Sequence, residues 1–360
     1  MGHVTDFVKE RISTDKLTLA NYVSTENMKS DFGGINPAIS IPNNTNVIHY
    51  KKGDVLLSNI RPYLRKVWAA NSDGGCSTDV FVFRAKSISP SFLHYIMAND
   101  TFINYVMSGA KGVKMPRGDK EQMLKYVFSI PRIEEQYKIS RLLHLLDDRI
   151  ATQTKIIEKL KSLIKGLNNT LQYGTGGKSV CLGDILLERS ERSRTNNQHE
   201  VLSSTVKGIF SQREYFSKDI ASENNVGYKI IRLYDVVLSP QNLWMGNINY
   251  NDRFEIGIVS PSYKVFSIAD GYDNQFVASM LKTHRALYSY MMVSEQGASI
   301  VRRNLNMEAF SQLVFKIPSL DKQREIGYAI SLLKSQLKTA NKIIKAYTSQ
   351  KQYLLRQMFI

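Results

Sequence analysis

The sequence predicts an α+β fold in which two globular domains alternate with two long, paired helices, so that one half of the chain repeats the other. The Phe-Ser-Ile-Pro run at residues 128–131 returns as Phe-Lys-Ile-Pro at residues 315–318, 187 positions later. A ladder of apolar residues with alternating spacings of four and three follows each copy. Because this is the period of a coiled coil, we expect the two helices to pack on each other.

Length and charge indicate a two-domain protein with an acidic partner. The chain has 360 residues, and its 48 lysines and arginines against 32 acidic residues give a net charge of +16. Nucleic acid is the first candidate partner and an anionic membrane the second. No apolar run is long enough for a membrane span, and no apolar signal segment opens the chain. Since Cys76 and Cys181 are the only cysteines, we expect no disulfide framework and a cytoplasmic protein.

The repeat divides the chain into five predicted segments. The first globular domain covers residues 1–130, and the first long helix follows at 131–173. A Gly-rich linker at 174–179 leads to the second globular domain at 180–317 and the second long helix at 318–360. The linker ends like a phosphate-binding loop, but it lacks that motif's first glycine and follows a helix instead of a strand. We therefore interpret it as a connection.

Inside each globular domain the sequence predicts the same order of strands and helices. The matching segments are 6–11 with 184–189, 53–58 with 234–239, 79–83 with 263–267, and a helical hairpin from 89 to 107 with one from 273 to 293. The strands are apolar runs entered through polar turns. Ser89 followed by Pro90 favours a helix start, since serine caps the first turn and proline fits its first position.

Each long helix carries an apolar seam at the a and d positions of its heptads. The seam residues are Ile139, Leu143, Leu146, Ile150, Ile157 and Leu160 in the first helix, and Ile326, Ile330, Leu333, Leu337, Ile344 and Leu354 in the second. Gln153, Ala340 and Lys351 interrupt the seams, and a polar group at such a position can fix the pairing register. A helix of about 33 residues spans roughly 50 Å, more than one turn of B-DNA.

A glycine-containing basic loop follows each helical hairpin, at residues 109–117 in the first half and 297–304 in the second. Each half is therefore an α+β globule, a basic loop and a long helix, in that order. A pair of such helices can hold two globules apart over duplex DNA.

No catalytic or metal-binding pattern is visible in the sequence. There is no Pro-Pro dipeptide, no Gly-x-Gly loop after a strand and no Pro-Asp dipeptide, so signatures of amino-methyltransferases, dinucleotide sites and one class of nuclease are missing. The six histidines are scattered, without a His-x-x-x-His or Cys-x-x-Cys pair. We predict a binding scaffold that holds no metal and catalyses no reaction.

The helix-entry motif resembles that of a known family. Residues 130–136, Ile-Pro-Arg-Ile-Glu-Glu-Gln, match the junction of type I restriction-modification specificity subunits, where Ile-Pro precedes Glu-Glu-Gln at the start of a long helix. The second copy is weaker, because Asp321 and Lys322 replace the two glutamates. Segments 53–56 and 259–263 are also similar to the family's strands. These motifs occur in the family's order and in both halves of the sequence. The chain therefore resembles the specificity subunit over essentially its whole length.

The resemblance implies that each globule is a target recognition domain that reads one half of a split DNA sequence. In this family the two helices pack antiparallel around a pseudo-two-fold axis, fix the unread spacer and dock two modification (methyltransferase) subunits. Those subunits bring S-adenosylmethionine, and restriction subunits that use ATP and Mg complete the nuclease. This chain itself is then expected to bind double-stranded DNA without any cofactor.

We predict DNA contacts from the basic loop and from the segment after the 53–58 or 234–239 strand, because both are placed alike in the two halves. In the first domain the candidates are Asn59, Arg61, Tyr63, Arg65, Lys111, Lys114 and Arg117. In the second they are Gln241, Asn242, Trp244, Arg302, Arg303 and Asn304. Lysine and arginine supply affinity through phosphates, while arginine suits guanine edges and asparagine or glutamine suit adenine edges.

Three other hypotheses stay open from the sequence. The chain could serve a methyltransferase that works without a restriction subunit. It could be a coiled-coil adaptor whose basic globules bind RNA or a membrane, although two differing globules on matching helices argue against this. A hidden enzyme would have to show activity as the purified chain alone.

Overall fold

The computed structural model of the chain describes residues 1–173, 177–215, 224–296 and 303–359. The chain divides into two compact units. The first unit consists of Met1–Thr154 with Lys342–Ile360, and the second is Lys155–Asn341. Each unit therefore contains one globular domain together with a segment of both long helices.

The first unit contains two four-stranded sheets and a group of helices. Its strands are β1 (Thr5–Phe7), β2 (Arg11–Ser13), β3 (Tyr22–Val23), β4 (Asn46–Tyr50), β5 (Val55–Ser58), β6 (Val67–Ala69), β7 (Gly74–Cys76) and β8 (Val80–Ala85). Its helices are α1 (Pro90–Met97), α2 (Asp100–Ser108), α3 (Lys120–Leu124) and the start of α4 (Ile133–Tyr173). The strand orders are β1-β8-β5-β6 and β2-β4-β7-β3.

The second unit repeats the first of these sheets and divides its other strands among two-stranded sheets. Its strands are β9 (Lys178–Cys181), β10 (Leu186–Arg189), β11 (Leu202–Thr205), β12 (Gly208–Ser211), β13 (Lys229–Arg232), β14 (Val236–Leu238), β15 (Ile248–Tyr250), β16 (Ile256–Val259), β17 (Lys264–Ile268), β18 (Ser294–Gln296), β19 (Arg303–Leu305) and β20 (Val314–Ile317). Its helices are α5 (Leu182–Ile185), α6 (Gln212–Tyr215), α7 (Asn274–Met280), α8 (His284–Met292), α9 (Met307–Ser311) and the start of α10 (Leu320–Met358). The four-stranded sheet has the order β10-β17-β14-β15.

The two main sheets share one topology and one register. Val55 pairs with Ala69 and Phe83 in the first sheet. Val236, its counterpart, pairs with Tyr250 and Phe266 in the second. Because a slip of one residue would turn every side chain to the opposite face, the shared register means that equivalent positions point the same way in both sheets. The predicted match of 53–58 with 234–239 is confirmed. Phe83 corresponds to Phe266 and Phe7 to Glu188, so the predicted matches of 79–83 with 263–267 and of 6–11 with 184–189 are displaced by one and three residues.

A buried aspartate stands at the entry of the central strand in each sheet. Asp54 and Asp235 are only 3% and 2% exposed. Arg84 donates to Asp54 through Nε and Nη2 at 2.9 and 2.8 Å, and Arg189 donates to Asp235 through Nη1 at 3.1 Å. Each carboxylate also accepts the backbone N–H three residues earlier, at 2.8 and 2.7 Å. A buried charge needs such partners, so the aspartate fixes both the turn and the neighbouring arginine.

A buried glutamine joins each long helix to the helical hairpin of its own globule. Gln136 and Gln323 are each 2% exposed. The Oε1 atoms accept the backbone N–H groups of Ser89 and Asp273, at 2.8 and 3.0 Å. Each Nε2 donates to the carbonyl of the proline five residues earlier, at 2.9 Å in both halves. Since both ends of the amide are satisfied, the glutamine holds the helix entry to the cap of the hairpin.

The start of α4 and the end of α10 pair antiparallel within the first unit. Asp147 on α4 binds Lys351 on α10, while Arg149 lies over the Tyr347 ring at 5.6 Å. The contacts run forward along one helix and backward along the other, which confirms the predicted antiparallel pairing. Lys351, which interrupts the apolar seam, thus finds a carboxylate there.

The predicted seam residues are buried or half-buried along both helices. Leu143, Leu146, Ile157, Leu160 and Ile330 are buried, while Ile139, Ile150, Ile326, Leu333, Leu337, Ile344 and Leu354 are half-buried. In the first unit the end of α10 also enters the core of the globule, where Phe359 packs on Phe92 with ring centroids 5.2 Å apart. None of the described helices is long and apolar enough to cross a membrane.

Candidate nucleic-acid interface

In the first unit the structure brings the segment after β5 against the basic loop. Arg61 donates its backbone N–H to the Pro116 carbonyl at 2.8 Å, and Ile60 pairs with Arg117. Asn59 lies at the start of this segment, and its Oδ1 is buried without a hydrogen-bond partner. The predicted residues Asn59, Arg61 and Arg117 are therefore neighbours, although Arg61 and Arg117 lie 56 positions apart in the sequence.

The basic loop of the first unit is closed at its base by two backbone hydrogen bonds. Lys111 and Arg117 exchange N–H to carbonyl bonds, each 2.9 Å long. Gly112 has φ of 97°, a value that favours glycine. The loop tip therefore projects from a fixed base, with Lys114 exposed and Val113 fully exposed.

The cations at the loop base have weak partners that a phosphate can replace. Lys111 pairs with Asp119 at 3.0 Å and Arg117 with Asp79 at 3.2 Å, and both basic side chains are more than half exposed. Exposed ion pairs contribute only about 0–1 kcal/mol, so exchanging them for a phosphate costs little. Lys114 has no ion pair among the residues that the structure describes.

Tyr63 lies on a short 3-10 helix, Pro62–Leu64, and Arg65 follows the end of this helix. The residues flanking this helix, Arg61 and Arg65, both have left-handed backbones, with φ of 51° and 56°. Tyr63 is 49% exposed. Arg65 instead pairs with Asp31 and Asp100, at 3.3 and 3.1 Å. The predicted group is thus divided, because Arg65 faces acidic side chains of its own globule.

In the second unit Arg303 connects the basic loop to the segment after β14. Its backbone N–H donates to the Gln241 carbonyl at 3.1 Å. Its guanidinium lies 5.0 Å from the centre of the Trp244 ring, and Nη1 donates to the Ser294 carbonyl at 3.4 Å. Stacking on an indole orients a guanidinium while leaving its edge able to donate. The sequence placed these segments in equivalent positions, and the structure places them side by side.

The remaining candidates of the second unit lie around this group. Asn242 precedes the short 3-10 helix Leu243–Met245, and its carbonyl accepts the Asn247 N–H at 3.2 Å. Asn304 is exposed on β19, opposite Glu295. Arg302 lies outside the described residues.

The second unit also contains a buried polar network that was not predicted from the sequence. Asn249 donates to the Ser204 hydroxyl at 2.7 Å, and the Lys282 ammonium donates to Asn249 Oδ1 at 2.7 Å and to the Gly246 carbonyl at 3.1 Å. Burial, reinforced by the charge of Lys334, lowers the pKa of Lys282 to about 8. The alternation of Asn247, Asn249 and Asn251 was the available signal, since asparagine is rare in strands.

Among the described residues, no group of three or more His, Cys, Asp or Glu side chains is arranged to hold a metal ion. The side chains that the structure gathers at the loop bases include cations, amides and an aromatic ring. These are donors and stacking surfaces that suit phosphates and base edges.

The chain matches a known domain family over its first part. Residues 9–162 match the family model described as Type I restriction modification DNA specificity domain. The Type I restriction enzyme EcoDI specificity subunit of Escherichia coli is 28% identical over 120 residues. That alignment covers 33% of this chain and 26% of the relative, so only about a quarter of the relative's length is matched. The resemblance predicted from the helix-entry motif is confirmed.

Solved structures show the same fold over nearly the whole chain. The S subunit of the type I restriction-modification system from M. genitalium has a TM-score of 0.66 at 13% identity, covering 100% of this chain and 94% of that one. A second structure comes from work on complex assembly and conformational transition of the type I R-M system. It has a TM-score of 0.50 at 15% identity and covers 97% of this chain and 96% of that one. These similarities confirm the predicted fold class.

Proposed function

We propose that this chain, with its type I restriction-modification DNA specificity domain, is the DNA-recognition subunit of a type I restriction-modification complex. Each globule reads one half of a split duplex sequence, and the helix pair fixes the number of unread base pairs between the halves. The chain does no chemistry itself. Methyltransferase subunits supply S-adenosylmethionine, and restriction subunits supply ATP and Mg.

The observation that carries this proposal is the repeated junction of a basic loop with the segment after the central strand. In one unit Arg61 meets the loop at Pro116, and in the other Gln241 meets the loop at Arg303. A sheet of identical register supports the junction in both units. One scaffold thus presents two different sets of side chains, as the reading of two unlike half-sites requires.

The side chains at each junction divide between affinity and selectivity. Lys111, Lys114 and Arg117 are exposed cations that suit phosphates, which dominate affinity without reading sequence. Arg303, held against Trp244, suits the guanine edge, and Gln241 suits adenine. A net charge of +16 adds long-range attraction to the duplex.

Exposed apolar residues on the outer helix surfaces support docking of two copies of one partner. Leu145 on α4 and Leu332 on α10 occupy equivalent positions and are 52% and 46% exposed. Ile156 and Ile343 form a second equivalent pair, 43% and 38% exposed. Because the same apolar positions recur on both helices, two identical methyltransferase subunits can use them in the same way.

The test is selection of binding sequences from a random duplex library. The chain is co-purified with its methyltransferase, and S-adenosylmethionine is present throughout. We expect a motif of two short half-sites separated by a fixed gap of unspecified bases. A single undivided motif would mean that only one globule reads DNA. No enrichment from a stable complex would contradict the proposal and favour a protein-binding adaptor.

A further inference from the structure

Each unit contains a cleft at the same place in the repeat. The first has a volume of about 480 Å³ and the second about 270 Å³. Asn99 and Thr283, which cap α2 and α8, lie at equivalent positions in the two clefts. Ile150 on α4 and Leu337 on α10, 187 residues apart, also occupy matching wall positions.

The two clefts differ in charge at their matching positions. The second cleft carries Lys161, Lys165, Lys282 and His284, and no acidic side chain lines it among the described residues. The corresponding residues of the first cleft are Thr348, Gln352, Ala98 and Asp100. Every position that is basic in the second cleft is therefore neutral or acidic in the first. The repeat has conserved the cavity while changing what it can attract.

The positive charge of the second cleft is not neutralised by carboxylates of the described chain. The Lys282 ammonium is held by Asn249 Oδ1 and the Gly246 carbonyl, which are neutral acceptors. Lys161 and Lys165 are exposed and form no ion pair with any described residue. Concave sites lined by one sign of charge concentrate ions of the opposite sign.

A buried polar atom in the same cleft also lacks a partner. Asn168 lines the cleft, and its Oδ1 atom is buried without a hydrogen bond. A buried polar atom without a partner is costly, and a half-turn of the amide lets Asn168 present its NH2 group to an anion in the cleft instead. The cleft thus combines an excess of cations with an unsatisfied amide side chain.

We propose that this cleft of the second unit, between the C-terminal part of α4 and the cap of α8, binds a phosphate group. Lys161 and Lys165 provide direct contacts, and Lys282 adds charge from behind the wall. The phosphate can belong to the backbone of duplex DNA or to a free nucleotide. Lys282 bonds to Gly246, which ends the short helix that carries Trp244, so the cleft adjoins the proposed reading segment.

The test compares full-length variants in two assays. Lys161→Gln with Lys165→Gln removes the two exposed cations of the cleft, and Lys155→Gln with Lys159→Gln is the matched control on the same helix. Asn168→Asp is a second variant that places a negative charge inside the cleft. The first assay follows thermal unfolding against inorganic pyrophosphate. The second follows binding of a mixed-sequence duplex against salt concentration.

We expect pyrophosphate to raise the melting temperature of the unaltered chain and of the control, but not of either cleft variant. If the phosphate belongs to DNA, the Lys161→Gln and Lys165→Gln variant also has a salt dependence shallower by roughly one in log–log slope, as the loss of one neutralised phosphate requires. Loss of the pyrophosphate effect with unchanged duplex binding identifies a free phosphate ligand instead.

The proposal is overturned if the cleft variants and the control respond alike in both assays. The pyrophosphate assay needs no DNA. A chain that failed to select a split sequence but still bound pyrophosphate through Lys161 and Lys165 would therefore contradict the recognition role while supporting the phosphate cleft.

Discussion

Each globule contains a four-stranded sheet of the same topology, but different kinds of side chains cover the equivalent face of the two sheets. In the first, Trp68 on β6 packs edge-on against Tyr50, with ring centroids 5.8 Å apart. In the second, the residue in the same register position is Asn249. There the face is occupied by the hydrogen-bonded network of Ser204, Asn249 and Lys282. An apolar cluster and a polar network thus support identical strand pairing.

This difference indicates that the scaffold is fixed by interactions with the backbone. Asp54 and Asp235 bind backbone N–H groups at the strand entry, and Gln136 and Gln323 bind them at the helix entry. These contacts depend little on the side chains that fill the sheet face. A globule can therefore change its interior and its loops while keeping its register, which suits the proposed reading of two different half-sites.

Removing the buried aspartates has the largest expected effect on this shared scaffold. We expect Asp54→Ala and Asp235→Ala each to lower the unfolding free energy by about 2–4 kcal/mol, because each leaves an arginine without its buried partner. Hydrogen exchange measured by mass spectrometry assigns the loss to one unit at a time. Asp→Asn at the same positions is the matched control and costs less. A strong loss in one half and none in the other would mean that the scaffolds are not equivalent.

The glutamines at the helix entries test the same equivalence at a smaller scale. Gln136→Ala and Gln323→Ala each leave a buried N–H unsatisfied, at a cost of about 1–3 kcal/mol. Denaturant unfolding measures both losses. Lys138→Gln, an exposed change on the same helix as Gln136, is expected to stay within about 0.5 kcal/mol of the unaltered chain. Equal stability of Gln136→Ala and this control would refute the anchoring role.

Lys282 makes the stability of the second unit depend on pH. The first unit has Ala98 at the equivalent position and lacks this dependence. The pKa of Lys282, about 8 in the fold, lies below the ordinary 10.5, so folding opposes its charge. That penalty is complete below pH 8 and shrinks between pH 8 and 10.5, where the unfolded chain binds more protons. The stability of the chain relative to Lys282→Met should therefore rise by about 1–2 kcal/mol from pH 8 to pH 10. Parallel pH profiles would show that Lys282 does not titrate in this range.

The residue before each buried aspartate gives the smallest effect. Gly53 and Tyr234 both have positive φ, 92° and 76°, but only glycine adopts this conformation without strain. Tyr234→Gly should stabilise the second unit by about 0.5–1 kcal/mol, after loss of its stacking on Tyr250. Thermal unfolding measures the change, and Gly53→Ala is expected to shift stability the other way. Destabilisation by Tyr234→Gly would mean that the stacking outweighs the strain.

The sequence predicted the features that recur in both halves of the chain. The 187-residue repeat, the strand segments and the heptad seams follow from local patterns, and the pairing of the helices follows from matching stripes. The partners of individual side chains do not follow in this way. Arg84 lies on β8, whereas Arg189 lies on β10, which is not the counterpart of β8. Both arginines nevertheless bind the equivalent aspartate of their own sheet.

Long-range pairing also decided which candidate residues came together. Arg65 was grouped with the basic loop because of its place after β5, but Asp31 and Asp100, both distant in sequence, hold it elsewhere. The stacking of Arg303 on Trp244 and the charge of the second cleft depend on contacts across more than 50 residues. No local periodicity encodes such contacts, so only the folded chain reveals them.

The most direct test of the central claim, that each globule reads its own half-site, is library selection with one altered arginine in each globule. Arg61→Ala and Arg303→Ala are compared with the unaltered chain in the methyltransferase complex. We expect each variant to relax one half-site, a different one in each case, by about 1–3 kcal/mol where the arginine contacts a base, and to keep the gap unchanged. Relaxation of the same half-site by both variants, or a changed gap, would contradict the claim.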